Sequence, residues 1–377
     1  MTLLTLIWNM DPEIFRIGFL GPRYYGLLFA SGFIVGYKIM TWAYSREGLD
    51  PLKVDTLTMW MVIATVAGAR LGHCLFYEPK EYLAEPWRIL AVWEGGLASH
   101  GAAFAILGAM YFYSRKYKDQ PLLWILDRLV ITIALAGCFI RTGNFFNSEI
   151  LGKTTDGATG IIFARPVTDN IRRLNDYLLE NGHSNTGEIQ DISYSLTGRT
   201  EKDSLVNQEV LIKVDFKGNY SKDDLYDFVS NLPVTIRGVD QEMDKIDHIK
   251  LGEVNEPKII KGEGITSVTF KALAMPRHPS QLYEAFSCIL LFCVLFFIYK
   301  VLGQATPRGL LLGIFMVVCF GLRFLWEFLK ENQVAFEDEL PFNMGQYLSI
   351  PLIIAGIYLI IRSLKLKNSP QKAEFFS

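Results

Sequence analysis

Ionisable side chains interrupt several long apolar stretches of this sequence, and inside a membrane such residues are costly and usually functional. The polar set comprises Arg70, His73, His100, Arg141, Asn144, Asn147, Glu149, Arg277, His278, Gln281, Tyr283, Glu284, Arg323 and Glu327. Guanidinium groups bind phosphate through paired hydrogen bonds and stay charged at any physiological pH. A histidine beside them can accept the proton of a nucleophile. The set therefore predicts a site for an anionic lipid, on which the protein could also act.

Other common chemistries lack their usual spacing in this chain. No histidine and carboxylate spacing suits a zinc hydrolase, and no G-x-S-x-G turn is present. The five cysteines all lie in apolar stretches, which argues against a disulfide framework. The formal net charge of −2 gives no indication of a nucleic-acid partner.

Seven apolar blocks must position the polar side chains, because about 20 apolar residues span the hydrocarbon core of a bilayer. The blocks are Tyr24–Tyr44, Leu57–Tyr77, Gly95–Tyr113, Leu122–Ile140, Gln281–Tyr299, Gly309–Phe328 and Met344–Ile361. A lipid-exposed chain must satisfy its own backbone hydrogen bonds, so each block is predicted to be helical. We therefore predict an all-α polytopic membrane protein with seven transmembrane helices. Asp127 and Arg128 are expected to form a local pair or to snorkel.

Lysine and arginine are distributed unevenly between alternate connections of these blocks. One set of connections holds Lys38, Arg46, Lys53, Arg115, Lys116, Lys118, Lys300, Arg308, Arg362, Lys365, Lys367 and Lys372. The short connections of the other set hold Arg16, Arg23, Lys80, Arg88 and Lys330. Because basic loops remain in the cytoplasm, the first set is predicted to be cytoplasmic. The N-terminus then lies outside, and the C-terminus lies in the cytoplasm.

A polar segment separates the fourth block from the fifth. Thr168–Leu179 and Lys222–Leu232 have helical patterns, whereas Glu209–Phe216 and Ile265–Leu273 alternate as strands do. These patterns predict a small α+β extracytoplasmic domain inserted between helices 4 and 5. The predicted organisation is a membrane domain at 1–150, a head domain at 151–275, a second membrane part at 276–364 and a cytoplasmic tail at 365–377.

Six motifs follow one another along the chain. They are G-A-R-L-G-H (Gly68–His73), E-G-G-L-A-S-H-G (Glu94–Gly101), R-T-G-N-F-F-N-S-E (Arg141–Glu149), R-H-P-S-Q-L-Y-E (Arg277–Glu284), R-F-L-W-E-F (Arg323–Phe328) and M-G-Q-Y-L-S-I-P (Met344–Pro351). In this order they resemble the prolipoprotein diacylglyceryl transferases of bacteria. The resemblance extends over Arg23–Pro166 and Met275–Leu364, and the external insertion between these parts is larger than we expect of the family.

The resemblance implies an enzyme of bacterial lipoprotein maturation. The family moves the diacylglyceryl group of phosphatidylglycerol to the lipobox cysteine thiol of a prelipoprotein, which forms a thioether and releases glycerol 1-phosphate. It implies a multi-pass protein of the bacterial cytoplasmic (inner) membrane, with membrane lipid and prelipoprotein lipobox peptides as partners. No metal, cofactor or nucleic acid is expected.

Site residues follow from the motifs and from the buried charges. Catalytic roles are implied for His100 as general base toward the thiol, for Arg141 as the ligand of the lipid phosphate, and for Arg323. The predicted substrate-binding residues are Tyr25, Arg70, Asn144, Glu149, Gly152, Arg277 and Glu327. The resemblance implies that Glu327 is the partner of Arg323, and a spacing of four residues places both on one helix face.

Several alternatives stay open at the level of sequence. Arg323 and Glu327 could form a structural ion pair, and His100 could be structural if the arginines alone favour ionisation of the thiol. The motif that begins at Arg277 could hold a helix start in place. Cys319 stands where the family usually has tyrosine, so one wall of the site is expected to differ. A transporter of an anionic lipid or other anion would also bury arginines, although this chain shows no internal repeat. A membrane scaffold with a partner-binding external domain is the third possibility.

Overall fold

The structure is a computed structural model that describes residues 6–18, 21–91, 96, 98–156, 160–180, 182, 186–202, 206–232, 235–237, 247–251, 257–331 and 340–367. Within these ranges the helices are α1 (Tyr24–Arg46), α2 (Leu52–Phe76), α3 (Pro79–Ala84), α4 (Ser99–Lys116), α5 (Leu122–Phe146), α6 (Arg165–Glu180), α7 (Lys222–Asn231), α8 (Ser280–Leu302), α9 (Leu310–Trp326) and α10 (Met344–Lys367). Residues 94, 95 and 97 of the second motif, and 368–377 of the predicted tail, lie outside the described residues. All five cysteines are free thiols.

Six helices in the described ranges are long and apolar enough to cross a membrane, namely α1, α2, α5, α8, α9 and α10. Each overlaps one of the predicted apolar blocks, so the chain is mostly helical and is a polytopic membrane protein. The predicted third block, Gly95–Tyr113, forms α4 instead, an 18-residue helix that starts at Ser99. Helix α4 is less apolar than the other six because it begins with Ser99 and His100 and ends with Arg115 and Lys116.

The region between α5 and α8 contains most of the strands. Strand β1 (Leu6–Trp8) pairs in parallel with β2 (Ile161–Phe163). The remaining strands form an antiparallel sheet in the order β3-β4-β8-β6-β5, with β7 also paired to β8. Their bounds are β3 (Ile189–Lys202), β4 (Val206–Lys217), β5 (Thr235–Arg237), β6 (Asp247–Leu251), β7 (Lys258–Lys261) and β8 (Ile265–Ala274).

The core of this region lies between the sheet and two helices. Alternate residues of β4, from Val210 to Phe216, are completely buried, as expected of a strand with one face against a core. Val167 and Ile171 of α6 and Phe228 of α7 belong to the same apolar cluster. The helices predicted at Thr168–Leu179 and Lys222–Leu232 and the strands predicted at Glu209–Phe216 and Ile265–Leu273 are all confirmed, as α6, α7, β4 and β8.

The chain divides into two compact units. The first comprises Met1–Leu27, Arg141–Glu284 and Phe324–Tyr347, and the second comprises Leu28–Ile140, Ala285–Arg323 and Leu348–Ser377. The first unit contains all the strands described above together with α6 and α7. The second contains α2 and α4 entirely and most residues of the other long helices. The predicted site residues are divided between the units, with Arg70, His100 and Arg323 in the second.

Close packing of α2 against α4 in the second unit depends on glycine. A Cβ atom on Gly68 would lie 2.3 Å from the Cβ of Ala105, and one on Gly72 would lie 2.7 Å from the Cα of Gly101. Gly101 itself would place a Cβ 2.3 Å from the carbonyl oxygen of Gly68. These contacts explain Gly68, Gly72 and Gly101 of the first two motifs, because small residues let membrane helices approach closely.

Asp127 and Arg128 of α5 each have a different partner in the second unit. The Asp127 carboxylate accepts hydrogen bonds from the backbone N–H groups of Gly309 (2.6 Å) and Leu312 (2.9 Å), at the start of α9. The Arg128 guanidinium lies 2.8 Å from the Glu47 carboxylate, which also accepts a hydrogen bond from Tyr299. Asp127 is therefore the acceptor for the first N–H groups of α9, which have no partner within their own helix.

Replacement of Asp127 by leucine is expected to lower the free energy of unfolding by roughly 2–4 kcal/mol, because buried N–H groups at a helix start lose their acceptor. The measurement is thermal unfolding of the purified protein in detergent. Asp119→Asn is the control, since its pair with Lys53 is exposed and contributes little. Equal unfolding temperatures for the two variants would show that the Asp127 bonds are not important for stability.

Candidate active site

Glu149 lies on a strained turn directly after α5, in the first unit. Ser148 and Ile150, which flank it, both have φ of 55°, a left-handed conformation that is unfavourable for a β-branched residue. Two side chains from the start of α8 hold this turn, since Gln281 donates to the carbonyl of Glu149 (2.5 Å) and Ser280 donates to that of Ile150 (2.9 Å). Strained backbone held by its surroundings is typical of functional sites.

The Glu149 carboxylate organises the two asparagines of its motif. Asn144 Nδ2 donates to one carboxylate oxygen at 3.1 Å, and Asn147 Nδ2 donates to the other at 2.9 Å. The amide oxygens of both asparagines are buried, and within the described residues neither has a hydrogen-bond partner. Buried acceptors without a partner are rare. The two amide oxygens are therefore suited to accept hydrogen bonds from a ligand that carries donors.

Arg141, on the last turns of α5, uses only part of its guanidinium in contacts with the protein. Its Nε lies 3.0 Å from a carboxylate oxygen of Glu284, which is buried on the first turn of α8. The described residues provide no hydrogen bond for its two terminal nitrogens, and 21% of the side chain is exposed. A guanidinium held at Nε, with its terminal nitrogens open, is suited to bind a phosphate through two parallel hydrogen bonds.

Lys330 connects this arginine to a second buried carboxylate. Its ammonium lies 2.7 Å from Glu284 and 3.0 Å from Glu327, and the lysine is only 3% exposed. Asn343 donates to the other oxygen of Glu327 at 3.1 Å. Gly345 makes room for that carboxylate, since a Cβ there would lie 2.7 Å from it. Arg141, Glu284, Lys330 and Glu327 are therefore connected through one chain of ion pairs.

Gln346 of the last motif forms part of the cap at the start of α10. Asn343 accepts a hydrogen bond from the backbone N–H of Gln346, and the Gln346 side chain accepts one from the backbone N–H of Asn343. This reciprocal pair is a capping box, which satisfies N–H groups at a helix start. Asn343 therefore fixes the start of the helix and the Glu327 carboxylate together.

Arg277 and Gly152 belong to a tightly packed backbone junction. Arg277 is 4% exposed, and its Nη1 bonds Glu331 (2.7 Å) and the carbonyl of Gly152 (3.2 Å). A Cβ on Gly152 would lie 2.4 Å from the backbone oxygen of His278, so only glycine fits. Burial lowers the pKa of His278 and so favours its neutral form. The motif that begins at Arg277 thus packs against Gly152 and Glu331 directly before the start of α8.

Tyr25 is the substrate residue predicted on α1. Its ring packs against α5 at Gly143, where a Cβ would lie 2.7 Å from the ring. Tyr25 is also within electrostatic range of Arg141 and Glu149. The first unit therefore brings Tyr25 near Arg141 and Glu149.

The second unit contains the remaining three predicted residues. Arg70 is buried, and it bonds the carbonyls of Arg88 (2.6 Å) and Ile89 (3.1 Å), which lie in a 3₁₀ turn at Pro86–Leu90. His100 is half-buried near the start of α4, with its ring 5.2 Å from that of Phe76 and 5.8 Å from that of Tyr77. Arg323 is half-buried on α9.

An apolar cavity of about 270 Å³ also lies in the second unit. It is lined by side chains of α1, α2, α4 and α5, among them Phe29, Phe33, Met61, Ile106 and Ile140. The lining is suited to an alkyl chain. Among the residues that the structure describes, no group of three or more histidine, cysteine or acidic side chains could hold a metal ion.

Comparison with known proteins gives one consistent result. The family model described as prolipoprotein diacylglyceryl transferase matches residues 12–362. Proteins named phosphatidylglycerol--prolipoprotein diacylglyceryl transferase from Tolumonas auensis and Chloroherpeton thalassium are each 32% identical, and 96% of this chain aligns with 99% and 95% of theirs. The protein of that name from Bacteroides fragilis is 30% identical, with 95% of each chain aligned. These relatives are therefore of similar length and align over nearly all of it. They also contain the segment between α5 and α8.

Proposed function

Because the chain belongs to the prolipoprotein diacylglyceryl transferase family, we propose that it catalyses the first step of bacterial lipoprotein maturation. In this reaction the diacylglyceryl group of phosphatidylglycerol moves to the lipobox cysteine thiol of a prelipoprotein. The thiolate sulfur attacks the glycerol carbon that carries the phosphate and forms a C–S bond. The C–O bond to the phosphate breaks, and glycerol 1-phosphate leaves with the electron pair.

The arrangement of Arg141 is the observation that carries this proposal. Its Nε is held by Glu284, whereas its terminal nitrogens have no hydrogen bond to the described residues. The phosphate gains negative charge as the C–O bond breaks, so a fixed guanidinium stabilises the transition state more than the bound lipid. The buried amide oxygens of Asn144 and Asn147 are suited to accept hydrogen bonds from the hydroxyls of the glycerol head group.

The other predicted residues receive the following roles in this proposal. We assign proton abstraction from the thiol to His100 and a second anion contact to Arg323. Tyr25 lines the lipid site, and Glu149 orients the two asparagines. Gly152, Arg70, Arg277 and Glu327 support the site through the packing and ion pairs that they form.

We further propose a membrane arrangement with seven spans, in which α4 is the third. The charge bias of the connections supports an outside N-terminus and a cytoplasmic C-terminus in the bacterial inner membrane. Lys330, one of the five cations of the short outer connections, is buried in ion pairs. In this arrangement 1–150 and 276–364 form the membrane domain, 151–275 the external head domain and 365–377 the tail.

The decisive experiment incubates the purified protein with phosphatidylglycerol vesicles and a lipobox peptide. We expect a peptide that is heavier by one diacylglyceryl group, together with an equal amount of glycerol phosphate. A peptide with serine in place of cysteine, and vesicles of phosphatidylethanolamine, are the controls and should give neither product. Movement of an anion or lipid across the vesicle membrane without any modified peptide would favour the transporter alternative.

A further inference from the structure

A second cationic pocket lies in the first unit, formed by different residues from the Arg141 network. Residues Asp11–Arg16, Arg23 and helix α6 line an open pocket of about 680 Å³. Five arginines and three carboxylates line it: Arg16, Arg23, Arg165, Arg172, Arg173, Asp11, Glu13 and Asp169. The lining therefore has an excess of two positive charges.

The ion pairs of the pocket show which arginines already have carboxylate partners. Glu13 pairs with Arg16 at 2.6 Å and lies 3.9 Å from Arg23. Its pKa is lowered chiefly by the hydrogen bond from Arg16, so it stays ionised. Arg165 lies 3.1 Å from Asp11 and 3.0 Å from Asp169.

Two arginines of α6 remain for a ligand. Arg172 donates to the carbonyl of Ile189 at 3.0 Å, and in the described ranges neither Arg172 nor Arg173 has a carboxylate partner. Adjacent arginines without a carboxylate, beside a cavity of this size, favour a phosphate.

A network of hydrogen bonds fixes the walls of the pocket. Ile14 N–H donates to Pro22, and Tyr24 N–H donates to Pro12, so both ends of the loop are closed. The N-terminal segment is joined to α6 through Thr168, which donates to Asn9 at 2.8 Å. A ligand therefore meets arginines whose supporting backbone is already ordered, which reduces the entropic cost of binding.

The surroundings of the pocket indicate which phosphate would bind. Ile14, Phe15 and Ile17 on the same loop are exposed, the last two by 54% and 69%. Arg23 is followed directly by Tyr24, the first residue of the membrane-spanning helix α1. Exposed apolar side chains beside arginines, next to the start of a span, are typical of a surface that lies in the head-group region of a bilayer.

We propose that this pocket binds the phosphate of an anionic membrane phospholipid, at the leaflet where α1 begins. The loop at Ile14–Ile17 enters the edge of the bilayer, while Arg172 and Arg173 bind the head group. This proposal does not depend on the transferase activity, because it concerns lipid binding at a site apart from Arg141.

The test measures binding of dihexanoyl-phosphatidylglycerol to the full-length protein in a neutral detergent. It is done in the Arg141→Gln background, which removes the phosphate ligand of the candidate active site. Arg172→Gln/Arg173→Gln is expected to weaken binding roughly 30-fold, since two cations close to an anionic head group are lost. Arg173→Gln alone should weaken it about fivefold, and it leaves the Arg172 bond to Ile189 intact in case the double variant is unstable.

Lys258→Gln/Lys261→Gln is the matched control, because it removes the same charge from the exposed strand β7 and should leave the affinity unchanged. The proposal is overturned by an unchanged affinity in both arginine variants, or by an equal loss in the control. Equal binding of dihexanoyl-phosphatidylcholine, or displacement of the lipid by equimolar inorganic phosphate, would also overturn it. Peptide modification at saturating phosphatidylglycerol should be normal in the Arg172→Gln/Arg173→Gln protein. A negative result in the lipid-binding test is therefore distinguishable from a failure of the proposed transferase function.

Discussion

Replacing Arg141 by glutamine is expected to lower kcat/KM for peptide modification by at least about 100-fold, because the leaving phosphate loses a bidentate charged ligand. The fold should survive this change. Glu284 keeps its contact with Lys330 at 2.7 Å when the arginine is removed. The measurement is the initial rate of diacylglyceryl transfer to a lipobox peptide in phosphatidylglycerol vesicles, together with the unfolding temperature of each protein.

Two variants separate charge from geometry at this position. Arg141→Lys keeps the positive charge but lacks the planar fork, and should retain a small part of the activity. Arg199→Gln removes an exposed arginine elsewhere and should be fully active. Wild-type rates in Arg141→Gln would contradict the assignment of Arg141 as the phosphate ligand.

Replacing Lys330 by methionine is expected to lower the free energy of unfolding by about 3–5 kcal/mol, which is typical when one partner of a buried ion pair is removed. Glu284 would still face Arg141, but Glu327 would lose its contact with the Lys330 ammonium. Thermal unfolding in detergent measures the effect. A decrease in activity should accompany it, because the network that holds Arg141 is disturbed.

Charge balance gives a sharp control for this second prediction. The double variant Lys330→Met/Glu327→Gln removes one cation and one anion, and it keeps an acceptor for the amide of Asn343. Its unfolding temperature should recover most of the loss, since replacing a buried pair as a unit is often nearly neutral. If the double variant were less stable than Lys330→Met, the network would not be held together by its charges.

Long elements could be predicted from the sequence because their signals are local. A run of apolar residues specifies a span wherever it occurs, so six helices coincide with predicted blocks. Strand β4 could also be predicted from the sequence, since its alternating residues from Val210 to Phe216 face one core. The third block has a weaker apolar signal, because polar residues at both ends make α4 less apolar than the other long helices.

The site could be predicted only where a motif contained its own partners. Asn144, Asn147 and Glu149 lie within one short motif, and the structure joins them directly. Lys330 was counted as a loop cation, because its burial depends on Glu284, 46 residues away in the sequence. Its spacing of three residues from Glu327 was the only local signal. The role of Asn343 was missed too, since it lies just before the last motif.

The backbone junction at Gly152 and Arg277 has a consequence for the size of the protein. Thr155 N–H bonds the carbonyl of Pro276, and Gly152 N–H bonds that of His278, so the chain leaves and returns at one place. A segment whose two ends are already fastened together can lengthen or shorten at little cost elsewhere, because its closure is independent of its contents. Residues 156–275 can therefore change in length between two fixed ends, provided that β2 and α6 keep their contacts with the N-terminal segment. Natural variation in the length of this segment should leave α5 and α8 in register.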